Sequence, residues 1–115
     1  MSVETIFSKI ISREIPANII LETDSILAFK DVNPQAPTHI LIIPKKPIKG
    51  LAESTIADKE LLGEMLLAAA TIARNAGLEP DGYRVVINNG PQAGQTVFHL
   101  HIHLLGGRIF DWPPG

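Results

Sequence analysis

Between His99 and Leu105 the chain reads His-Leu-His-Ile-His-Leu-Leu, an alternation of imidazole and aliphatic side chains. Successive side chains of a strand point to opposite faces, so a strand here sets His99, His101 and His103 in one row and Leu100, Ile102 and Leu104 in another. The segment therefore demands a sheet with a core on one face and an imidazole row on the other. Three of the chain's four histidines fall in that row, which is not what a merely wetted strand face needs.

The rest of the chain supplies such a sheet. Thr5 is a plausible cap for a short amphipathic helix with Ile6, Phe7, Ile10 and Ile11 at helical spacing, stopped by Ile15-Pro16. The β-rich runs 19–23 and 26–31 flank Asp24-Ser25 and predict a hairpin. Thr38 to Ile43 is a third strand, closed by Pro44. Thr55 with Asp58 resembles a capping box opening a helix of about 20 residues, which Gly77 stops. Its apolar positions, from Leu61 to Ala76, are too broad for one sheet face, and burial on two sides is expected. Residues 83–88 and 98–105 read as the last two strands, joined by the glycine-containing loop 89–95. The whole, residues 1–115, is a single α+β domain with two helices and a five-stranded, mainly antiparallel sheet.

Composition excludes several classes. There is no cysteine, which removes disulfide scaffolds, thiolate metal sites and thiol catalysis. Ten basic against twelve acidic residues, a net charge of −2, give no electrostatic basis for coating nucleic acid. The longest apolar run, Met65 to Ala70, is far short of the roughly 18 residues that cross a bilayer. Glu4, Lys9, Arg13 and Glu14 break up any leader pattern, so no membrane partner and a cytoplasmic location are expected. Only 19% of residues are charged against 45% hydrophobic, a surplus that a second subunit would cover.

Two chemistries suit the histidine row. Neighbouring members stand about 6.6 Å apart and the outer pair about 13 Å, so one metal ion would hold two of them and recruit ligands such as His39, Asp31 or Asp111. Nucleophilic attack on phosphorus is the alternative. The middle imidazole, His101, would attack with a neighbour managing protons, and the loop from Asn88 to Thr96 would offer N–H groups to phosphate oxygens.

The pattern HLHIHLL resembles the histidine-triad signature of the HIT superfamily. TIFSKII, LAFKDVNPQAPTHILIIPKK, NNGPQAGQTVFHLHIHLLGGR and the closing WPPG extend the match over nearly the whole chain, and resemble the Hint branch of purine nucleoside phosphoramidases. The resemblance implies a HIT-like fold dimerising into a ten-stranded sheet, and a homodimer. It also implies hydrolysis of the P–N bond of purine nucleoside 5′-phosphoramidates, without metal or cofactor, through a nucleotidyl-histidine intermediate. It makes His101 the nucleophile, with His99 and His103 beside the phosphate and His39 linked from the neighbouring strand. Asp31 is implied as the ribose partner, Ile6, Phe7, Ile10, Phe29 and Val32 as the base pocket, and Asn88, Gly94, Gln95 and Thr96 around the phosphate. Thr96 stands where the branch usually has serine and keeps the hydroxyl. The alternatives are dinucleoside polyphosphate hydrolysis, as in the Fhit branch, which WPPG disfavours, and a nucleotide-binding regulator whose hydrolysis is incidental.

Overall fold

The computed structural model describes residues 4–115. Helix α1 (Ile6–Ile11) is followed by strands β1 (Ile19–Glu22), β2 (Ile26–Lys30) and β3 (Thr38–Pro44), helix α2 (Lys59–Asn75), and strands β4 (Tyr83–Val86) and β5 (Ile102–Gly106). The strands form one sheet in the order β1-β2-β3-β5-β4, every neighbouring pair antiparallel. Because β5 enters between β3 and β4, the chain's last strand lies beside its third, with Leu41 opposite His103 and His39 opposite Leu105. That insertion brings His39 to the histidine row across 64 residues of chain. No helix among the described residues is long and apolar enough to cross a membrane.

Both faces of the central strands are covered, which explains why ILAF in β2 and ILII in β3 are unbroken apolar runs. On one face Ile26, Ala28, Ile40, Ile42, Leu100, Ile102 and Leu104 meet Met65, Ala69, Ile72 and Ala73 of α2. On the other, Leu27, Phe29, Leu41 and Ile43 meet Phe7 and Ile10 of α1. The alternation expected around the histidines holds: Leu100, Ile102 and Leu104 belong to the α2 side, and the imidazoles share the α1 side with Phe7. Gly106 lacks a side chain for a steric reason, since a Cβ there would lie 2.6 Å from Leu78 in that core.

Several boundaries differ from expectation. Helix α1 ends at Ile11, before Ile15-Pro16, where Arg13 takes a left-handed φ of 69° and donates its N–H to the Ile10 carbonyl. The Thr55–Asp58 capping box is present, but it closes a 3₁₀ turn, and the α-helix proper is the 17 residues from Lys59. Asp58 also accepts from Lys46 Nζ at 2.6 Å, so its carboxylate ties the turn to the β3–α2 connection. Strand β4 stops at Val86, and β5 begins only at Ile102, because β3 ends at Pro44. Beyond the Ile42–Ile102 pair, Leu100 N–H turns to the Ile48 carbonyl at 2.7 Å.

Helix α2 buries one side only. Ala69 and Ala73 are 1% and 0% exposed against the sheet, while Leu66 and Leu67 are 50% and 70% exposed. The helical period puts Leu67 on the side opposite Ala69, Ile72 and Ala73, with Leu66 at the edge of the buried stripe.

Candidate functional site

The packing of α1 on β2, β3 and the run into β5 gathers six rings on the α1 face. Phe7 stands edge-on to Phe29, His99 and His101, with centroids 5.6, 6.2 and 5.0 Å away. His101 meets His103 at 5.0 Å, and His103 meets His39 at 5.2 Å. His39, His99 and His101 are buried, and His103 is half-buried. The capping box of Thr5 and Ser8 starts α1 where it can carry Phe7 onto this row.

Backbone groups dictate where each imidazole carries its proton. His99 donates from Nε2 to the Pro44 carbonyl at 2.7 Å, which strand β3 leaves free at its end. His101 donates from Nδ1 to the His99 carbonyl, also at 2.7 Å, so its Nε2 keeps an unprotonated lone pair. The Gln35 peptide N–H donates to His39 Nδ1 at 3.0 Å, which places the His39 proton on Nε2. That nitrogen lies 2.9 Å from His103 Nδ1 and 3.4 Å from Asp31 Oδ2. His103 is thereby the acceptor at Nδ1 and carries its own proton on Nε2.

The four rings are uncharged at neutral pH. Burial lowers the pKa of each. For His103 it acts with the neighbouring His101 and His39, and together they bring the pKa to about 4 against the opposing pull of Asp31. Asp31 similarly opposes the shifts at His39 and His101. The result is a row of neutral imidazoles, His101 with a bare Nε2 and His103 with a protonated one, and the Asp31 carboxylate beside them.

The remaining expected residues separate into those at the row and those away from it. Phe7, Ile10 and Phe29 form the apolar cluster beneath it, whereas Ile6 lies half outside and Val32 is 96% exposed. Asp31 Oδ1 accepts the Asn33 N–H at 2.8 Å, leaving Oδ2 toward His39. Gly94 needs its left-handed φ of 94° to end the 3₁₀ turn Pro91–Ala93, and the Asn88 amide lies against it. Thr96 is exposed beside it. Gln95 departs from expectation: its side chain is buried and occupied in bracing the loop. Its Oε1 accepts from Gly90 N–H at 2.8 Å, and its Nε2 donates to the Lys49 and Val97 carbonyls at 2.8 and 3.1 Å. A phosphate could take that amide only by breaking those bonds.

Three groups were not legible beforehand. The Pro44 and His99 carbonyls and the Gln35 N–H belong to the backbone, and only the prolines around them, Pro34, Pro37 and Pro44, hinted at a chain bent to expose them. For a cation, one ligand atom each from Asp31, His39 and His103 lie within 4.8 Å of one another. Asp111, the other expected ligand, stands apart, its carbonyl receiving Arg84 Nη2 at 2.9 Å.

Comparison with known proteins agrees with this arrangement. Residues 12–109 match the HIT domain family. The chain is 61% identical to an uncharacterized HIT-like protein of Synechocystis sp. over the full length of both, and 56% identical to a 14 kDa zinc-binding protein of Zea mays, covering 96% of this chain and 88% of that one. Among solved structures it superposes on a HIT family hydrolase of Legionella pneumophila with a TM-score of 0.95, 49% identity, and coverage of 97% of this chain and 100% of the other. A histidine triad nucleotide-binding protein of Candida albicans gives a TM-score of 0.83 at 33% identity, with 96% and 83% covered.

Proposed function

The chain belongs to the HIT domain family, and from that premise we propose that it is a nucleotide-binding hydrolase that attacks phosphorus through His101. The finer reading is a purine nucleoside 5′-phosphoramidase, working without metal or cofactor as a cytoplasmic homodimer paired through the outer face of α2. The observation that carries it is the His101 Nδ1–H bond to the His99 carbonyl, which leaves Nε2 free to attack.

The steps follow from the proton positions. His101 Nε2 bonds to phosphorus, the P–N bond breaks, and the departing nitrogen takes the proton of His103 Nε2, the negative charge left on that ring being held by the His39 Nε2–H bond at its Nδ1 and offset by the cation formed on His101. The His99 carbonyl stabilises the positive charge that appears on the His101 ring. Water then adds to phosphorus, giving its proton back to His103, and the bond to His101 breaks to release nucleoside monophosphate. Phe7, Phe29, Ile10 and the exposed Ile6 and Val32 would cover the base, and Asp31 would accept from the ribose hydroxyls. Asn88, Gly94 and Thr96 would hold the phosphate.

The test is quenched turnover of adenosine 5′-phosphoramidate followed by mass spectrometry. A nucleotidyl adduct on His101 and a loss of at least about 10³ in kcat for His101→Ala with AMP binding retained are expected. An adduct on His99 or His103 would overturn the assignment.

A second reading, divalent-metal binding, is favoured by the grouping of Asp31, His39 and His103 and by the similarity to the zinc-binding protein of maize. Two imidazoles and one carboxylate are a donor set that zinc accepts. Zinc held there would take up the nitrogens through which His39 and His103 pass a proton, so it would inhibit. Zinc binding that Asp31→Asn weakens, with turnover that a chelator leaves intact, would fit both readings; turnover abolished by the chelator and restored by zinc would refute the metal-independent one.

A further inference from the structure

The proton of His39 sits on Nε2 because a peptide N–H on an exposed turn points at its other nitrogen. Residues 32–37 carry the chain from β2 into β3, and within them Gln35 Nε2 donates to the Asn33 carbonyl at 3.0 Å while Asp31 takes Asn33 N–H. These bonds are all local. Among the described residues, the one long-range hydrogen bond to the turn comes from Arg108, whose Nε donates to the Gln35 carbonyl at 3.0 Å across 73 residues of chain.

We propose that Arg108 is a positioning residue for the histidine pair: by gripping the Gln35 carbonyl it keeps the Gln35 N–H on His39 Nδ1 and so selects the His39 tautomer. The guanidinium is itself held. Its Nη1 donates to the Ile109 carbonyl at 3.0 Å, and its plane lies 4.2 Å from the Phe110 ring centroid, with Arg84 5.3 Å away on the same ring. Neither arginine forms an ion pair among the described residues. Gly107 brings this segment close: at φ 92° it lies so near Pro37 that a Cβ would be 2.9 Å from the Pro37 Cβ. The segment after β5 therefore rests on the turn before β3 and clamps it at two neighbouring points, Gln35 and Pro37.

The consequence is directional. With Gln35 N–H on Nδ1, His39 donates to His103 and leaves His103 its proton on Nε2. If the turn releases that N–H to water, His39 can hold its proton on Nδ1 instead. The shared bond then reverses, and His103 presents a bare Nε2. The inference rests on the proposed function only for what that proton does; the tautomer itself is independent of the reaction.

The experiment is ¹⁵N-histidine NMR of the full chain, read for the His39 tautomer, with kinetics on adenosine 5′-phosphoramidate. Wild type should show His39 protonated at Nε2 alone. Arg108→Met, which keeps the aliphatic stem and removes the donors, should show a mixture of tautomers and lose about tenfold in kcat with KM little changed, a fraction of what general acid catalysis supplies. Arg108→Lys, which retains one donor, should recover most of both, and it serves as the informative variant should the methionine chain fail to fold. An unshifted tautomer in a folded Arg108→Met protein overturns the proposal, whatever happens to turnover. A shifted tautomer with unchanged turnover upholds the grip of Arg108 and instead refutes proton donation by His103.

Discussion

Lowering the pH from about 7.5 to about 5 protonates the histidines of an unfolded chain more readily than the ones buried here. His103 shows the size of the effect. The folded state holds it at about 4 against 6.5 for the free side chain, chiefly through burial, with His101 and His39 adding to it. Between those values the unfolded state binds more protons, so stability is complete above 6.5 and declines as pH falls toward 4. At pH 5 the loss from His103 alone is about 2 kcal/mol, and His39, His99 and His101, all lowered by burial, add with the same sign. Asp58 and Glu22 do not interfere in this window. Lys46 and the Thr55 N–H hold Asp58 below its usual range, and Lys45 and Arg13 do the same for Glu22. Their contributions are present above the ordinary carboxylate range and disappear only at lower pH. Urea unfolding at fixed protein concentration should therefore give a markedly lower midpoint at pH 5 than at 7.5, and His103→Gln should remove about 2 kcal/mol of that difference. Equal midpoints at the two pH values, or a His103→Gln protein with the full wild-type difference, would refute the argument that burial keeps this ring neutral.

Asp31→Ala should abolish the preference for ribose over 2′-deoxyribose substrates, which the carboxylate should set at roughly 1–3 kcal/mol in the wild type; equal discrimination in mutant and wild type would place the ribose contact elsewhere. On α2, Leu67→Arg, placed on the exposed side, should give a folded monomer, while Ala73→Arg, driven into the sheet core, should unfold the chain. Sedimentation equilibrium decides the first point, since a wild-type mass near 12.5 kDa would remove the dimer.

The alternation of His99 to Leu104 was readable because a strand's period of two survives whatever packs on it. What was not readable depends on partners distant in sequence. The start of β5 moved from Phe98 to Ile102 because Pro44, on another strand, ends the ladder, and no property of residues 98–101 announces it. The resemblance implied Gln95 around the phosphate, and only the folded loop shows its side-chain amide engaged by Gly90, Lys49 and Val97. His101 could be singled out as the middle of a row. The position of its proton, on Nδ1 against a carbonyl two residues back, became visible only in the fold.

The two layers over the sheet are unequal, and the thinner one covers the histidines. Helix α1 has six residues and is anchored by two buried side chains, Phe7 and Ile10, each worth roughly 1.5–3 kcal/mol of burial. A helix of that length has no stability of its own in water. Lifting it from the sheet thus costs far less than unfolding the thirteen-residue cluster under α2. Amides such as Lys9 and Ser12 should exchange with solvent through this local opening well before those of β3, and a bound nucleotide touching Phe7 should slow that exchange selectively. The proposed nucleophile then lies beside the helix with the least stability of its own, so that access to His101 can be set by the detachment of a single turn and a half of helix while the sheet that aligns the imidazoles stays intact.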